Sequence, residues 1–218
     1  GSGIGLALAQ RWHDAGNTVI ITGRNAAKLE SAVAGRANMH AAQLDVTDPG
    51  AILAFAADIV AKFPALNVLV NNAGIMGYED ATAARDLSAA EDTVVTNLLG
   101  PIRLIDALVG HLAAQADSAI VNVTSGLAFV PFPKAPTYSA TKAALHSYTQ
   151  ALRVQLAGRV EVIELAPPAV RTELTPGQST RDAYMPLDAF ADEVMALFAE
   201  TPTPAEILVR NVLPLRHA

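Results

Sequence analysis

The chain has 218 residues, of which 51% are hydrophobic and 17% are charged, a balance that predicts a folded globular protein. Its formal net charge is −6 and no segment concentrates lysine or arginine, which argues against a nucleic acid or an anionic membrane as a partner. The chain contains no cysteine, which excludes disulfide bonds, thiolate chemistry and cysteine-ligated zinc, and we expect a cytoplasmic protein. No stretch reaches the roughly 18 uninterrupted apolar residues of a membrane span.

The sequence begins with a glycine-rich turn, GSGIG, that runs directly into helical spacing. Several short apolar runs follow, and each ends in small or polar residues. They are NTVIITGR (17–24), a run ending at QLDVTD (43–48), NVLVNNAG (67–74), SAIVNVTSG (118–126) and RVEVIELAPP (159–168). Their length and composition predict buried β-strands.

Helical patterns separate these strands. Asp48 followed by Pro49 predicts an N-cap and the first position of a helix, and SAAE (88–91) predicts a capping box for a helix that runs towards His111. Another long helix covers roughly Tyr138 to Leu156. The alternation predicts one α/β domain over residues 1–218, a doubly wound parallel sheet in three α/β/α layers. The irregular region 166–187, with four prolines, predicts a lid or a substrate-binding loop.

The glycine turn predicts an anion site, because ligands of open α/β sheets bind beyond the carboxyl ends of the strands, at helix N-termini. Gly3 and Gly5 would let a pyrophosphate approach the backbone, although two glycines at a helix start are more often ordinary turn chemistry. Dinucleotide-binding folds that prefer NAD usually carry an acidic residue at the end of the strand that follows this helix. In this chain the residue there is Arg24. The planar guanidinium suits a 2′-phosphate; alternatively, Arg24 is a solvated surface residue. Asp45 follows the next strand along the chain, where its carboxylate is placed to accept a hydrogen bond from adenine.

The segment YSATK (138–142) is the strongest catalytic signal. Tyr138 and Lys142 share one face of a helix, and an ammonium beside a phenol is expected to lower the phenol pKa from its usual value of about 10. Ser125 lies thirteen residues earlier, just after a strand, where its hydroxyl would bond a carbonyl oxygen. Asn97 lies inside the preceding helix, where asparagine is a poor helix former.

The motifs GIG, NNAG, TN, VTSG and YSATK, in this order and spacing, resemble those of the short-chain dehydrogenase/reductase family over nearly the whole chain. The resemblance implies a Rossmann-type fold and hydride transfer between a nicotinamide and a carbonyl or secondary alcohol substrate. It makes Tyr138 the acid/base, Ser125 the carbonyl-polarising group, Lys142 the partner of the tyrosine and of the nicotinamide ribose, and Asn97 the support of a water linked to Lys142. The cofactor would be bound by Ser2, Gly3, Ile4, Gly5, Arg24, Asp45, Val46, Asn72, Ala73, Gly74, Tyr138, Lys142, Val170 and Thr172.

By the same resemblance, Arg24 favours NADP(H) over NAD(H). A homodimer or homotetramer would pair the helices that begin near Ser88 and Tyr138. No metal is expected, since the five histidines show no ligand spacing and are interpreted as surface or packing residues. Two alternatives stay open: an NAD-dependent member of the family, and a cofactor-binding regulatory protein without turnover.

Two features depart from the family pattern. Pro167-Pro168 stands where Pro-Gly is usual, and this pair and the C-terminal sequence resemble a subgroup of small bacterial reductases, one of which is labelled after a D-alanine transfer operon. The sequence also begins inside the glycine motif, without the strand that normally precedes it. That strand would lie between those ending at Arg24 and Asn71, so we expect the natural protein to carry roughly a dozen or more further N-terminal residues.

Overall fold

A computed structural model describes residues 1–218, which form six strands and eight helices. The strands are β1 (Val19–Gly23), β2 (Met39–Gln43), β3 (Val68–Asn71), β4 (Ala119–Val123), β5 (Glu161–Leu165) and β6 (Glu206–Ile207). The helices are α1 (Gly3–Asp14), α2 (Ala26–Val33), α3 (Pro49–Lys62), α4 (Ser88–Val94), α5 (Gly100–Leu112), α6 (Pro136–Gln155), α7 (Leu187–Phe198) and α8 (Leu213–Arg216).

Every strand pair is parallel, as predicted for an α/β fold with helices between the strands. One sheet contains β1 and β2, and the other has the order β3-β4-β5-β6. Alternate residues of β4 and β5 face opposite sides: Val121 and Ile163 pack with α1 and α7, whereas Ile120 and Val162 pack with α3, α5 and α6. The two cores make the three-layer architecture that the sequence predicts, and the carboxyl ends of the strands lie together at one edge.

The two sheets are separated between β1 and β3, which do not pair with each other. In β1, the bond from the Val19 N–H to Asn38 directs residues 19, 21 and 23 towards β2, so the backbone groups of Ile20 and Thr22 face the separation. In β3, the same alternation points Val68 and Val70 into it, because the Asn67 carbonyl bonds β4. A cavity of about 1560 Å³ extends from this opening to the carboxyl edge. The opening lies where the sequence analysis places an additional strand.

The helix beginnings are partly as predicted. Asp48 caps α3 by accepting bonds from the Gly50 and Ala51 N–H groups, and Pro49 is its first residue. The prediction of a capping box at Ser88 is wrong, because Ser88 is already helical and its N–H and hydroxyl both donate to Asp86. The Asp86 carboxylate, two residues earlier in the chain, is therefore the hydrogen-bond acceptor at this helix start, in place of the Ser88 oxygen.

Helices α4 and α5 continue into each other through one π-helical turn, Val95–Leu99, as the predicted helix from Ser88 towards His111 requires. This 25-residue rod is apolar and long enough to cross a bilayer by composition alone. Its Ile105, Leu108 and Leu112 side chains, however, are buried against α3 and the sheet. The helix is therefore apolar because one of its faces packs in the core of the protein.

Candidate active site

The carboxyl edge brings almost all of the predicted site residues around the one large cavity. The cavity is lined by Ser2, Gly3, Ile4, Gly5, Arg24, Asp45, Val46, Asn72, Ala73, Gly74, Ser125, Tyr138, Lys142, Val170 and Thr172. Asn97 is the exception, since it is fully buried beside the cavity and its neighbour Thr96 lines the wall. Residues far apart in sequence therefore meet because parallel strands end at one edge.

The glycine turn forms the N-terminus of α1. Gly3 has φ +56°, a left-handed conformation that favours glycine, and lies against Thr172 from the far loop. A β-carbon on Gly5 would overlap the Asn72 side-chain amide. Ser2 occupies the N-cap position without a side-chain bond to the helix, so the first-turn N–H groups of this 12-residue helix face the cavity free of a protein acceptor. The turn is a cradle for an anion.

Ser125 and Tyr138 come together beside Lys142. Ser125 follows β4 and caps a single 3₁₀ turn, Gly126–Ala128, where its Oγ accepts a bond from the Leu127 N–H at 3.1 Å. Tyr138 and Lys142 lie one turn apart on α6, with Lys142 Nζ 5.7 Å from the centre of the phenol ring. All three side chains are more than nine-tenths buried. A hydroxyl, a phenol and an ammonium thus converge, largely buried, at the wall of the cavity.

The pKa values of this group run against the expectation that Lys142 lowers that of Tyr138. Burial raises the pKa of Tyr138 to about 12, and a hydrogen bond with the Ser125 hydroxyl only partly opposes it. Burial also lowers the pKa of Lys142 to about 8. The Lys142 ammonium donates to the Val123 carbonyl at 2.8 Å rather than to the phenol. The prediction was therefore wrong in direction, because loss of solvent on burial is the largest cause of the shift.

Asn97 holds the loop that follows β3. It lies in the π-helical turn, and its Oδ1 accepts from the Ile75 N–H at 2.9 Å while its Nδ2 donates to the Ile75 carbonyl at 2.8 Å. A β-carbon on Gly74 would be only 3.4 Å from Asn97 Oδ1 and 3.6 Å from Lys142 Nζ. The asparagine, unfavourable in a helix, therefore fixes Gly74 beside Lys142.

The end of β1 carries two exposed cations, Arg24 and Lys28. Arg24 has no carboxylate within salt-bridge distance, although its charge contributes to a lowered pKa of Asp45. The larger causes of that lowered pKa are two bonds from Thr47, whose N–H and hydroxyl both donate to Asp45 Oδ1. Asn25 caps α2 by accepting from the Lys28 N–H. The corner presents free positive charge to the cavity.

The predicted loop spans the region between β5 and α7 and is fastened at several points. Val170 forms an isolated parallel bridge with Met185, and Gln178 donates to the Val170 carbonyl and to Thr172 Oγ1. The Pro167 carbonyl accepts from the Gly126 N–H at 2.8 Å, so the proline pair ties this loop to the one that carries Ser125. Thr172 is thereby held against Gly3 of the glycine turn.

The model of the short chain dehydrogenase family matches residues 1–183, most of the length of the chain. The chain belongs to this family. It is 45% identical over 183 residues to the uncharacterized oxidoreductase DltE of Bacillus subtilis, an alignment covering 83% of this chain and 72% of that protein. It is also 32% identical to sulfoacetaldehyde reductase 2 of Chromohalobacter salexigens, over the full chain and 92% of the relative.

The fold agrees with this assignment. A short chain dehydrogenase from Burkholderia cenocepacia, solved in complex with NADP, superposes with a TM-score of 0.85 at 25% identity, covering 99% of this chain and 87% of that one. Short-chain dehydrogenases are oxidoreductases that act on alcohol and carbonyl groups with a nicotinamide cofactor, and this chain is such an oxidoreductase.

The residues present fit a dinucleotide. The uncapped N-terminus of α1 suits a pyrophosphate, and the positive φ of Gly3 together with the tight approach of Gly5 to Asn72 leaves backbone rather than side chains facing the cavity. Gly74 and Lys142 lie side by side in the wall of the same cavity. Each of these features belongs to a position that the sequence analysis named.

One polar cluster was missed. Ligand atoms of His146, Glu164 and Glu206 lie within 4.8 Å of one another, although their sequence spacing shows no motif. Glu164 is fully buried and bonds His146 Nδ1 at 2.7 Å, whereas Glu206 is bound by the Arg216 guanidinium at 2.9 and 3.3 Å. His146 is thus part of a charged network and not a simple packing residue. The four carboxylate oxygens are bonded by Thr124, His146 and Arg216, so the cluster is held together by hydrogen bonds within the protein.

Proposed function

We propose that this short-chain dehydrogenase transfers hydride between NADP(H) and the carbonyl or secondary alcohol carbon of a small substrate, as one domain with 166–187 as its substrate loop. The observation that carries the proposal is the buried group of Ser125, Tyr138 and Lys142 at the end of a cavity whose other end holds Arg24. The same cavity is lined by the proposed proton-transfer residues, by the glycine turn and by the cationic Arg24.

In the reduction direction, Tyr138 donates its phenolic proton to the carbonyl oxygen, which Ser125 holds by a hydrogen bond. When bound, the reduced nicotinamide supplies the hydride that the carbonyl carbon accepts. A pKa of about 12 keeps Tyr138 protonated at neutral pH, so the phenol carries the proton that a reduction requires. Lys142 holds the nicotinamide ribose and restores the proton of Tyr138, with Asn97 supporting the water linked to it.

The cofactor contacts follow the lining of the cavity. Ser2, Gly3, Ile4 and Gly5 would hold the pyrophosphate, and Asp45 and Val46 would lie beside the adenine. Asn72, Ala73 and Gly74 would line the cleft of the bound cofactor, with Val170 and Thr172 beside the carboxamide.

NADP(H) is favoured over NAD(H) because Arg24 and Lys28 both lack a carboxylate partner at the β1 end. A 2′-phosphate placed there gains charge-assisted bonds from the Arg24 fork, whereas a 2′-hydroxyl meets no acid at the end of β1. The NAD-dependent alternative requires Arg24 to stay in solvent.

A fluorescence titration of the full chain with NADPH and with NADH tests the cofactor. We expect NADPH to bind more tightly, and Arg24→Ala to weaken NADPH binding roughly 10- to 100-fold with little effect on NADH. Arg159→Ala, an exposed arginine before β5 at the opposite edge of the sheet, is the matched control. Equal affinity for both cofactors in the wild type would favour the NAD-dependent alternative.

Tyr138→Phe tests catalysis against the non-catalytic, regulatory alternative. With NADPH and a panel of aldehydes and ketones that includes sulfoacetaldehyde, the wild type is expected to turn over and the variant to lose roughly 10²- to 10⁴-fold in kcat. Its NADPH affinity should persist, and Tyr148→Phe on the same helix should remain active. Cofactor binding by the wild type without turnover of any carbonyl compound would support the regulatory alternative.

The assembly is proposed to be a homodimer or homotetramer in the cytoplasm. The outward face of α6 is uncharged, with Ala140, Ala143, Ser147, Ala151 and Val154 exposed, and Val154 is 79% exposed. Such a face pairs readily with its own copy across a two-fold axis.

A further inference from the structure

The loop that carries Ser125 is covered on its outer side by the C-terminal segment, residues 210–216. A β-carbon on Gly126 would lie 2.6 Å from Leu215 Cδ1 and 2.9 Å from Val212 Cγ2, so the segment leaves no room for even a methyl group. Val212 is fully buried. The residue that directly follows Ser125 is therefore fixed by direct packing.

Arg216 makes a second contact with the same loop. Its guanidinium carbon lies 5.1 Å from the centre of the Phe129 ring, and the guanidinium also donates to both carboxylate oxygens of Glu206 on β6. The cation is thereby held between the sheet and the far end of the catalytic turn, in a geometry suited to a cation–π contact.

The residue that precedes Ser125 is held from the sheet side. Thr124 Oγ1 donates to Glu164 Oε1 at 2.6 Å, and the other oxygen of Glu164 is bonded by His146 at 2.7 Å. The His146 ring stands edge-on to Phe129 with centroids 5.2 Å apart. Ser125 thus lies between two anchored neighbours, and the C-terminal segment supplies the anchor on one side.

We propose that Leu215 and Arg216 are positioning residues for the reaction, which hold the Ser125 hydroxyl towards Tyr138 by pressing on Gly126 and Phe129. Neither residue lines the cavity, so both act through the loop and not on the substrate. The inference rests on the proposed function, because it takes Ser125 as the group that polarises the carbonyl. The role of the C-terminal segment in the reaction is therefore to position a group. It limits where the Ser125 hydroxyl oxygen can lie.

The test compares Leu215→Ala and Arg216→Met with the conservative variants Leu215→Met and Arg216→Lys. Arg210→Met is the matched control, since that residue is exposed on the same segment and its hydrogen bonds, to Glu193 and from the Leu213 N–H, involve only its backbone. With NADPH and the carbonyl panel described above, we expect kcat to fall roughly 10- to 100-fold in the first pair, with unchanged NADPH affinity. The conservative variants should recover most of the loss.

Hydrogen exchange supplies a readout that needs no substrate. The five amides of residues 126–130 are all hydrogen-bonded, to the Pro167 carbonyl, to Ser125 or to Gly126. In Leu215→Ala and Arg216→Met these amides should exchange at least several-fold faster while those of β1, β2 and α2 keep their wild-type rates.

The outcomes separate the inference from the proposed function. Wild-type exchange at residues 126–130, or faster exchange throughout the chain, would overturn the positioning role, and so would wild-type kcat in both variants. If the wild type reduces no carbonyl compound, the proposed function fails while the exchange rates still decide whether the C-terminus fixes the loop.

Discussion

Lys142 is the buried cation of the site, and its titration is the physical property that most directly links burial to activity. With a pKa of about 8, its charge is present at neutral pH and is lost under mildly alkaline conditions. Tyr138, with a pKa of about 12, stays protonated over the same range. The two neighbours therefore titrate far apart, and any activity change between pH 7 and 10 that comes from this pair belongs to the lysine.

The chain has four lysines, which makes this measurable by NMR of ε-¹³C-labelled lysine. We expect one resonance to titrate near pH 8 and to be absent from Lys142→Met, and kcat/KM for carbonyl reduction to fall across the same midpoint. A Lys142 resonance that titrates near 10.5 would show that the ammonium is solvated and contradict the burial argument.

The same group has a defined effect on stability. Since the folded pKa of Lys142 lies below its unfolded value of 10.5, the unfolded chain binds more protons between these values. The contribution of Lys142 therefore makes the free energy of unfolding rise with pH from about 8, whereas the raised pKa of Tyr138 makes it fall only above about 10. Urea unfolding at pH 8 and pH 10 should show the rise in the wild type and a smaller one in Lys142→Met.

At the scale of single elements, the π-helical turn is the feature that connects helix geometry to the cofactor cleft. Its extra residue per turn lets Asn97 reach both polar atoms of the Ile75 backbone, which an uninterrupted α-helix would not place opposite the loop. The loop after β3 also carries Gly74, which lines the cavity. The two Asn97 hydrogen bonds therefore fix the helix relative to this part of the cavity wall.

Asn97→Leu should therefore affect both stability and cofactor binding. The variant leaves one backbone donor and one acceptor of Ile75 unpaired, at about 1–3 kcal/mol for each group that stays buried, and it releases the loop that carries Gly74. Guanidinium unfolding and NADPH titration would measure the two effects, with the exposed Val94→Ala on the same rod as control. A variant that unfolds and binds as the wild type does would mean that water replaces the lost amide.

How far the sequence predicts these elements depends on the range of the interaction that decides each one. Asp48 and Pro49 are local signals, and α3 begins where they place it. The Ser88 capping box failed because Asp86, two residues away, offers a stronger acceptor. The contact of Glu164 with His146 crosses from β5 to α6, and β6 is only two residues long, so neither leaves a periodic pattern to read.

For the site the same distinction holds. The ordered motifs predict that Ser125, Tyr138 and Lys142 lie together, and these residues line one cavity because parallel strands end at one edge. The direction of the Tyr138 pKa depends on how completely the surrounding core excludes water, which the spacing of two residues does not specify.

For the whole molecule, the separation between β1 and β3 is the feature with the largest physical consequence. A parallel sheet gains its stability from continuous pairing, and unpaired backbone groups at an internal edge cost free energy unless water reaches them. Four residues, Ile20, Thr22, Val68 and Val70, turn their N–H and C=O groups towards the cavity in this structure. By contrast, β4 is buried at all five positions and paired on both sides.

The separation predicts a specific pattern of hydrogen exchange in the 218-residue chain. Amides of Ile20, Thr22, Val68 and Val70 should exchange faster than those of Ile21, Leu69 and β4, because only the latter have a strand partner. A chain extended at its N-terminus by a strand-forming segment that fills the opening should slow the four amides and raise the melting temperature, since it pairs both edges and buries apolar wall. If the four amides are already as protected as their neighbours, or the extension leaves them and the melting temperature unchanged, the opening is not a strand site. The proposed cofactor cleft shares this cavity, so closing the opening should also tighten NADPH binding by fixing the glycine turn against β1.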